Sequence, residues 1–398
     1  MKKNRIMGRC AKRQRRCRAC AVPDSYPRVL FDDTGLCNFC RDLQAERGRL
    51  FDFSRNEAVF RAKIQRARSD SGYDVLIGVS GGKDGAYVAF QLKHKFKLRV
   101  LAYTNDLGIL TDVARENIAK AVKAIGVDHV FYRPDEALVK HVFRNAVLVY
   151  GHPCFACTAL HFLVGTRMAM AYKIPFRVHG RSPYQIFKDF SGQHNDFVRL
   201  NIENNLLPYD PARNKSVLET TIDQLWGFFL NKIVSARQRP AFYREVLPRR
   251  LPTGSAVPEF FAYFLTESYE EVRNMDLLTR ECGMVFPTAG QVLSHFDCVI
   301  HDAAVYLMQQ AADVTALEQE LRTMVRLNAL SLDTAAQRLA GERCRLREPV
   351  EEINLLKTMW GLERTSTGSI IRRAKFLYGI SKRLKTWASR WSFRNMVL

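Results

Sequence analysis

The chain has 398 residues, 47% of them hydrophobic and 25% charged, which excludes a short peptide, a disordered tail and a collagen-like repeat and predicts two or three domains with a sizeable core. Its net charge is +21, yet nine Lys/Arg and no acid lie between Met1 and Arg18, and eight with no acid between Thr365 and Leu398, so polyanion affinity belongs to the termini and not to the nearly neutral middle. With no uninterrupted run of 18 apolar residues, and a basic start that no apolar stretch follows, the expectation is a cytoplasmic protein without a membrane span.

In chain order, a basic arm (1–16) leads into a cysteine module and connector (17–55). Cys17-x2-Cys20 and, after sixteen residues, Cys37-x2-Cys40 have the spacing at which two knuckles offer four thiolates to one tetrahedral Zn²⁺, leaving no position open for catalysis. Phe31, Leu36 and Phe39 supply the small core that such a ribbon needs beside its metal. Ten cysteines in a chain without a secretory signal point to ligands and reactive thiols rather than disulfides. A charged helical connector, residues 42–69, follows.

From Tyr73 the pattern predicts a strand over 75–79, a glycine-rich turn, a helix over 86–96, a strand over 99–104, a helix over 111–125, a strand over 129–132, a helix over 158–172 and a strand over 176–179. This alternation predicts an α/β fold, an open parallel sheet within 56–207, wound by right-handed crossovers and binding ligands at the carboxyl ends of its strands. Past about Pro208 it fades into aromatic-rich helical segments, 225–233 and 259–263 among them, punctuated by Pro240, Pro248, Pro252 and Pro258. A C-terminal helical region over 208–345 and a basic amphipathic tail over 346–398 are expected.

The turn after the first strand reads Ser80-Gly81-Gly82-Lys83-Asp84-Gly85. Glycines there let backbone N–H groups converge on phosphate oxygens, the following helix presents its positive end, and Lys83 adds a mobile charge. A Walker A loop would need glycine where Ile77 stands and a hydroxyl where Asp84 stands, so this is a different cradle. It resembles the signature S-G-G-x-D-S of the PP-loop ATP pyrophosphatase superfamily, with Gly85 in the last place. From about Cys17 to Leu339 the order of elements is also similar to the N-acetyl sugar amidotransferases. The shared pieces are a Cys-x2-Cys pair, Phe31-Asp32-Asp33-Thr34-Gly35, a second Cys-x2-Cys, Tyr73-Asp74 and the loop, Pro153-Cys154-Phe155-Ala156-Cys157, and Asp297-Cys298.

This resemblance implies that Ser80, Gly81, Gly82, Lys83, Asp84 and Gly85 hold ATP, with Lys83 neutralising the departing phosphates and Asp84 placing Mg²⁺. The implied substrate is an N-acetylated, nucleotide-linked sugar whose amide oxygen is adenylated. Ammonia from an external glutaminase and cyclase-like pair then leaves an acetamidino group, for surface polysaccharide. Glycine at 85 removes a hydroxyl worth about 1.5 to 3 kcal/mol as a bond to a charged group, which keeps an inactive descendant as an alternative. A second branch of the superfamily, the sulfurtransferases that thiolate tRNA, also combines zinc knuckles with a cysteine-held cluster. Basic residues confined to two tails speak against tRNA.

Cys154 and Cys157 precede an apolar helix, whose positive end is expected to lower their pKa. With Cys298 they make three thiolates, the number that holds a [4Fe–4S] cluster with one iron open in some sulfur-transfer relatives of the superfamily. With His295 they make a Cys₃His set for zinc, and a reduced pair packed under the sheet is the plain alternative. Asn105 and Asp106 follow the second strand on the loop's rim and are placed to contact adenosine, while Arg181, behind His179, is placed to reach the leaving phosphates. In the tail, Ile370, Ala374, Leu377, Leu384, Trp387 and Trp391 recur at helical spacing among basic residues, which fits either an anionic membrane face or docking on the protein itself.

Overall fold

The computed structural model describes residues 15–24, 26, 29–66, 72–188, 205–252, 254–287, 296–312, 316–345 and 348–376; most of the basic arm, His295 and the tail from residue 377 lie outside these residues. Five strands form one parallel sheet in the order β3-β2-β1-β4-β5. They are β1 (Val75–Gly78), β2 (Val100–Asn105), β3 (Asp128–Tyr132), β4 (Phe176–His179) and β5 (Glu259–Ala262). The first four match the expected strands to within a residue.

β1 is apolar on both faces because helices cover both. On one face Leu76, Leu101 and Tyr103 share a core with Phe143 of α5 (Glu136–Tyr150) and Leu163 of α6 (Cys154–Ala171). On the other, Val75, Ile77 and Ala102 pack with residues of α2 (Phe53–Arg66), α3 (Lys83–His94) and α4 (Asp112–Ile125). α1 (Asn38–Leu50) carries the second cysteine knuckle into the connector. α5 is absent from the expected elements, although Asp135 accepts from the Leu138 N–H at its start and Gly151, at φ 78°, closes it, the usual end signals of a helix. α6 is long and apolar enough to cross a membrane by length and composition, but half of that span is buried, and it packs against β1, β2 and β4 as a covering helix of the sheet.

The expectation of a helix over 259–263 is overturned. Glu259–Ala262 pairs in parallel with β4, and Phe261 stacks on Phe60 with centroids 4.1 Å apart. The strand begins with a fully buried carboxylate: Glu259 ion-pairs with buried Lys63 of α2 and accepts from Asn214 Nδ2 at 3.0 Å. A charged residue inside an otherwise apolar run hides the strand signal, and its partners come from distant sequence. The sheet therefore extends beyond residue 208.

The helical character of 225–233 holds, as the end of Pro211–Leu225, a π-helical turn at Trp226–Leu230, and Asn231–Ile233. Further helices span Glu271–Cys282, His301–Ala312, Ala316–Arg326, Leu332–Arg345 and Val350–Met359. Residues 367–376 are helical too, with Ile370 and Ala374 fully buried. Ala374 Cβ lies so close to Gly151 that a side chain there would meet it at 2.5 Å. This part of the tail docks on the protein's own body; Leu377, Leu384, Trp387 and Trp391 lie outside the described residues.

Candidate active site

The loop between β1 and α3 sits at the carboxyl end of the sheet, and close backbone approach dictates its glycines. Gly81 has φ +85°, and a Cβ there would fall 2.4 Å from the Ala114 carbonyl oxygen of α4. A Cβ on Gly85 would lie 2.5 Å from the Gly78 carbonyl oxygen, and one on Gly180, after β4, 2.6 Å from that of Asp84. Glycine at 85 is thus a packing requirement, the point at which α3 touches β1. α3 starts at Lys83, three residues earlier than expected, with Gly82 as its cap. Its first free N–H groups therefore belong to the loop itself, the arrangement that favours an anion. Fully buried Asn117 of α4 fixes the loop from behind: its Nδ2 donates to the carbonyls of Gly81 (3.3 Å) and Val285 (2.8 Å), and its Oδ1 accepts from the Val285 N–H.

Lys83 Nζ lies 3.0 Å from Glu271 Oε1 and 3.7 Å from Asp84 Oδ2. Tyr269 Oη donates to Asp84 Oδ1 at 3.0 Å. Burial works against the Lys83 charge, but the carboxylates of Asp84 and Glu271 outweigh it and hold its pKa above the usual lysine value. Burial pushes the Asp84 carboxyl up, against the opposing pull of Lys83 and Tyr269. Glu320, on Ala316–Arg326, adds its field to Lys83, Asp84 and Arg181. Sequence reading missed Asn117, Tyr269, Glu271 and Glu320, which no local pattern marks.

Asn105 and Asp106 reach the same rim but stand differently. Asp106 is taken up by structure: it accepts from the Gly108 N–H (3.0 Å), from Arg115 and, at 2.6 Å, from Arg133. Burial raises its pKa, and the bonds from Arg133 and Arg115 overcome that and lower it. Asn105 is buried with neither its Oδ1 nor its Nδ2 bonded among the described residues, an unsatisfied pair that a ligand's donor and acceptor would complete. His179 Nδ1 accepts from the Arg181 N–H at 3.4 Å, and burial drives its pKa down to about 3.

Residues 296–299 are tied to the segment after β2. Thr111 donates through its N–H to the Asp297 carbonyl (3.2 Å) and through Oγ1 to that of Phe296 (3.1 Å), and the Val299 N–H donates to Ile109. This brings Asp297 over the loop, its Oδ2 3.6 Å from where a Cβ on Gly82 would lie, and Cys298 to the same rim. Cys157 feels the charges of Cys298, Cys154, Asp297 and Arg181, so the three cysteines expected together are neighbours. The expected fall in thiol pKa is overturned: burial raises Cys154 to about 11 and Cys298 to about 12, and Cys157 rises as well. Desolvation of the thiolates exceeds what the helix end returns.

The ribbon cysteines are a different case. Cys17, Cys20, Cys37 and Cys40 are all buried, with sulfurs 3.8 Å apart for Cys17 and Cys40 and 3.7 Å for Cys20 and Cys37. A tetrahedral ion with metal–sulfur bonds of about 2.3 Å requires edges of about 3.8 Å, so the donor set fits one such ion. Among the described residues no other group of three or more Cys, His, Asp or Glu has all its ligand atoms within 4.8 Å; the three rim cysteines are not gathered for a single ion. The ribbon is seated by Arg322, which donates to the Cys20 carbonyl at 2.8 Å, and by Arg326, whose guanidinium lies over Phe39.

No family model matches the chain. Over 119 residues it is 32% identical to the glutamine-hydrolyzing GMP synthase of Pyrobaculum aerophilum, a stretch that makes up 30% of this chain and 22% of the synthase. The chain thus spans about a fifth of the length of the curated relative it matches. Among solved structures, the U34-tRNA thiolase NcsA from Methanococcus maripaludis with its [4Fe–4S] cluster aligns over 82% of this chain and 88% of that one, at 13% identity and a TM-score of 0.31, too slight a likeness to carry an argument. The glycine loop at the carboxyl end of the parallel sheet, with Lys83 and the N-terminus of α3 beside it, is an arrangement suited to binding phosphate.

Proposed function

We propose that the chain is an ATP-dependent amidotransferase that converts the N-acetyl group of a nucleotide-linked sugar into an acetamidino group. The observation that carries this reading is the glycine cradle at 80–85, closed on three sides by backbone, with Lys83 and Asp84 on the first turn of α3. An amide carbonyl resists ammonia because its carbon is weakly electrophilic and oxide is a poor leaving group. In the proposed reaction the amide oxygen attacks the α-phosphorus of ATP and the bond to the β-phosphate breaks, releasing pyrophosphate. Ammonia then adds to the activated carbon, AMP departs with the former amide oxygen, and a proton is lost. The loop amides and Lys83 bind the charge that collects on the leaving pyrophosphate. Asp84 suits Mg²⁺, which takes a carboxylate together with phosphate oxygens. Asn105 offers its idle donor and acceptor to the adenine, and Arg181 is assigned to the phosphates.

Zinc is the ion we assign to Cys17, Cys20, Cys37 and Cys40, in a structural role, since all four positions are protein. Cys154, Cys157 and Cys298 are assigned to a cluster-type group on the three thiolates they would offer together. Such a rim site also suits sulfur transfer to tRNA, the competing reading. The protein is placed in the cytoplasm, with ammonia supplied by a separate glutaminase and cyclase-like pair. The test is incubation with ATP, ammonium and UDP-N-acetyl sugars labelled with ¹⁸O in the acetyl carbonyl. Label recovered in AMP together with an acetamidino product supports the reading; ATP consumption that depends instead on tRNA and a sulfur donor refutes it.

A further inference from the structure

Lys83 ion-pairs with two carboxylates among the described residues, and one of them is foreign to the loop. Asp84, 3.7 Å away, is engaged by Tyr269 Oη on its other oxygen, whereas Glu271 Oε1 stands at 3.0 Å and is the closer partner. The Lys83 side chain is 10% exposed and that of Glu271 35%, so the acid is the more open of the pair. Glu271 heads the helix Glu271–Cys282, whose first turn tolerates an acid well, and it needs no lysine to be satisfied there. A lysine that will donate to phosphate must first give up whatever it donates to beforehand.

We propose that Glu271 is a stand-in for phosphate: its carboxylate, 3.0 Å from the Lys83 ammonium, holds it in the place that a nucleotide oxygen takes, and is displaced when nucleotide enters. This inference rests on the reading of the loop as an ATP site. It gives Glu271 a positioning role with two consequences. The lysine is held nearer to Glu271, at 3.0 Å, than to Asp84, at 3.7 Å. The acid, left beside the phosphates after displacement, also repels them and hastens the departure of pyrophosphate.

The test is Glu271→Gln, which keeps the shape and removes the charge, with binding of inorganic pyrophosphate and of ATP followed by calorimetry, in EDTA and with Mg²⁺. The expected result is binding of metal-free pyrophosphate about tenfold tighter than in the wild type, equivalent to about 1.4 kcal/mol, with KM for ATP and kcat both lower as product lingers. Glu271→Asp, which retains the charge, should return affinity to near the wild-type value, an outcome that a purely structural role would not produce. Unchanged or weaker pyrophosphate binding by Glu271→Gln overturns the proposal, and so does a loss of affinity confined to Mg²⁺-containing samples, which would make Glu271 a metal ligand. Lys83→Met separates the two levels. If it loses pyrophosphate while Glu271→Gln is unaltered, only the stand-in role falls; if wild type and Lys83→Met bind pyrophosphate alike, the ATP reading of the loop falls with it.

Discussion

Replacing Gly85 by serine restores the residue that the loop signature carries, yet the packing predicts a loss. A Cβ at this position lies 2.5 Å from the Gly78 carbonyl oxygen, a backbone atom of β1, whereas ordinary contact begins near 3.4 Å. α3 would have to retreat by most of an ångström from a strand whose residues Val75, Leu76 and Ile77 are fully buried. Overpacking of this kind costs about 1 to 3 kcal/mol, which sets against it the roughly 1.5 to 3 kcal/mol that a new hydroxyl bond to phosphate can contribute. The prediction is a fall in the thermal midpoint of the unliganded protein by roughly 1 to 4 °C for a chain of this size, with no net gain in ATP affinity. Gly85→Ala carries the same Cβ without the hydroxyl and should be equally destabilised while binding ATP less well than the serine variant. Thermal melts with and without nucleotide, on both variants, read the two effects apart. A serine variant as stable as the wild type that binds ATP tenfold tighter would refute the reasoning and show that α3 moves freely on β1.

Three other outcomes follow from named contacts. Cys40→Ala should lower bound metal by one equivalent per chain and raise hydrogen exchange in α1, whose cap Cys37 accepts from the Cys40 N–H, as well as along Ala316–Arg326, which grips the ribbon through Arg322; unchanged metal content would contradict the ligand assignment. Lys63→Met takes the ion-pair partner from buried Glu259, which keeps the Asn214 bond and the charge of Arg213, and should cost about 3 to 5 kcal/mol in urea unfolding, most of it recovered in Lys63→Met/Glu259→Leu; a double variant no more stable than the single one would remove the ion pair from the account of β5. His179 stays neutral in the fold down to about pH 3, whereas in the unfolded chain it takes a proton near pH 6.5. Protons therefore favour unfolding, and stability contributed at this position is intact above pH 6.5 and declines as pH falls toward 3. His179→Asn, which preserves an acceptor for the Arg181 N–H, should flatten the pH dependence of stability between pH 6.5 and 4; an unaltered slope would contradict the assignment.

How far the sequence reads through to the fold depends on whether a signal is local. β1 and its turn are legible because an apolar run, four glycines and a Lys-Asp pair stand together in eleven residues, 75–85. The ribbon is legible for the same reason, its four sulfurs arriving in two short knuckles. β5 is not, because Glu259 interrupts the apolar pattern and finds Lys63 nearly two hundred residues away. At the site, the loop is read from sequence but its supports are not: Asn117, Tyr269 and Glu271 are ordinary polar residues in ordinary helical or turn surroundings, and only the tertiary fold brings them to Gly81, Asp84 and Lys83. Cys154, Cys157 and Cys298 were marked by residue type, and the structure adds what type cannot show, that burial and not the helix end governs their thiols.

The central claim is that the loop at 80–85 grips the triphosphate so that ATP is cleaved between its α and β phosphates. Isotope exchange between labelled pyrophosphate and ATP, in the presence of an N-acetylated nucleotide sugar and absence of ammonia, tests it most directly. The account predicts exchange that depends on the sugar, disappears in Lys83→Met and leaves no ADP; exchange equal in both proteins, or release of ADP and phosphate in place of AMP, would contradict it.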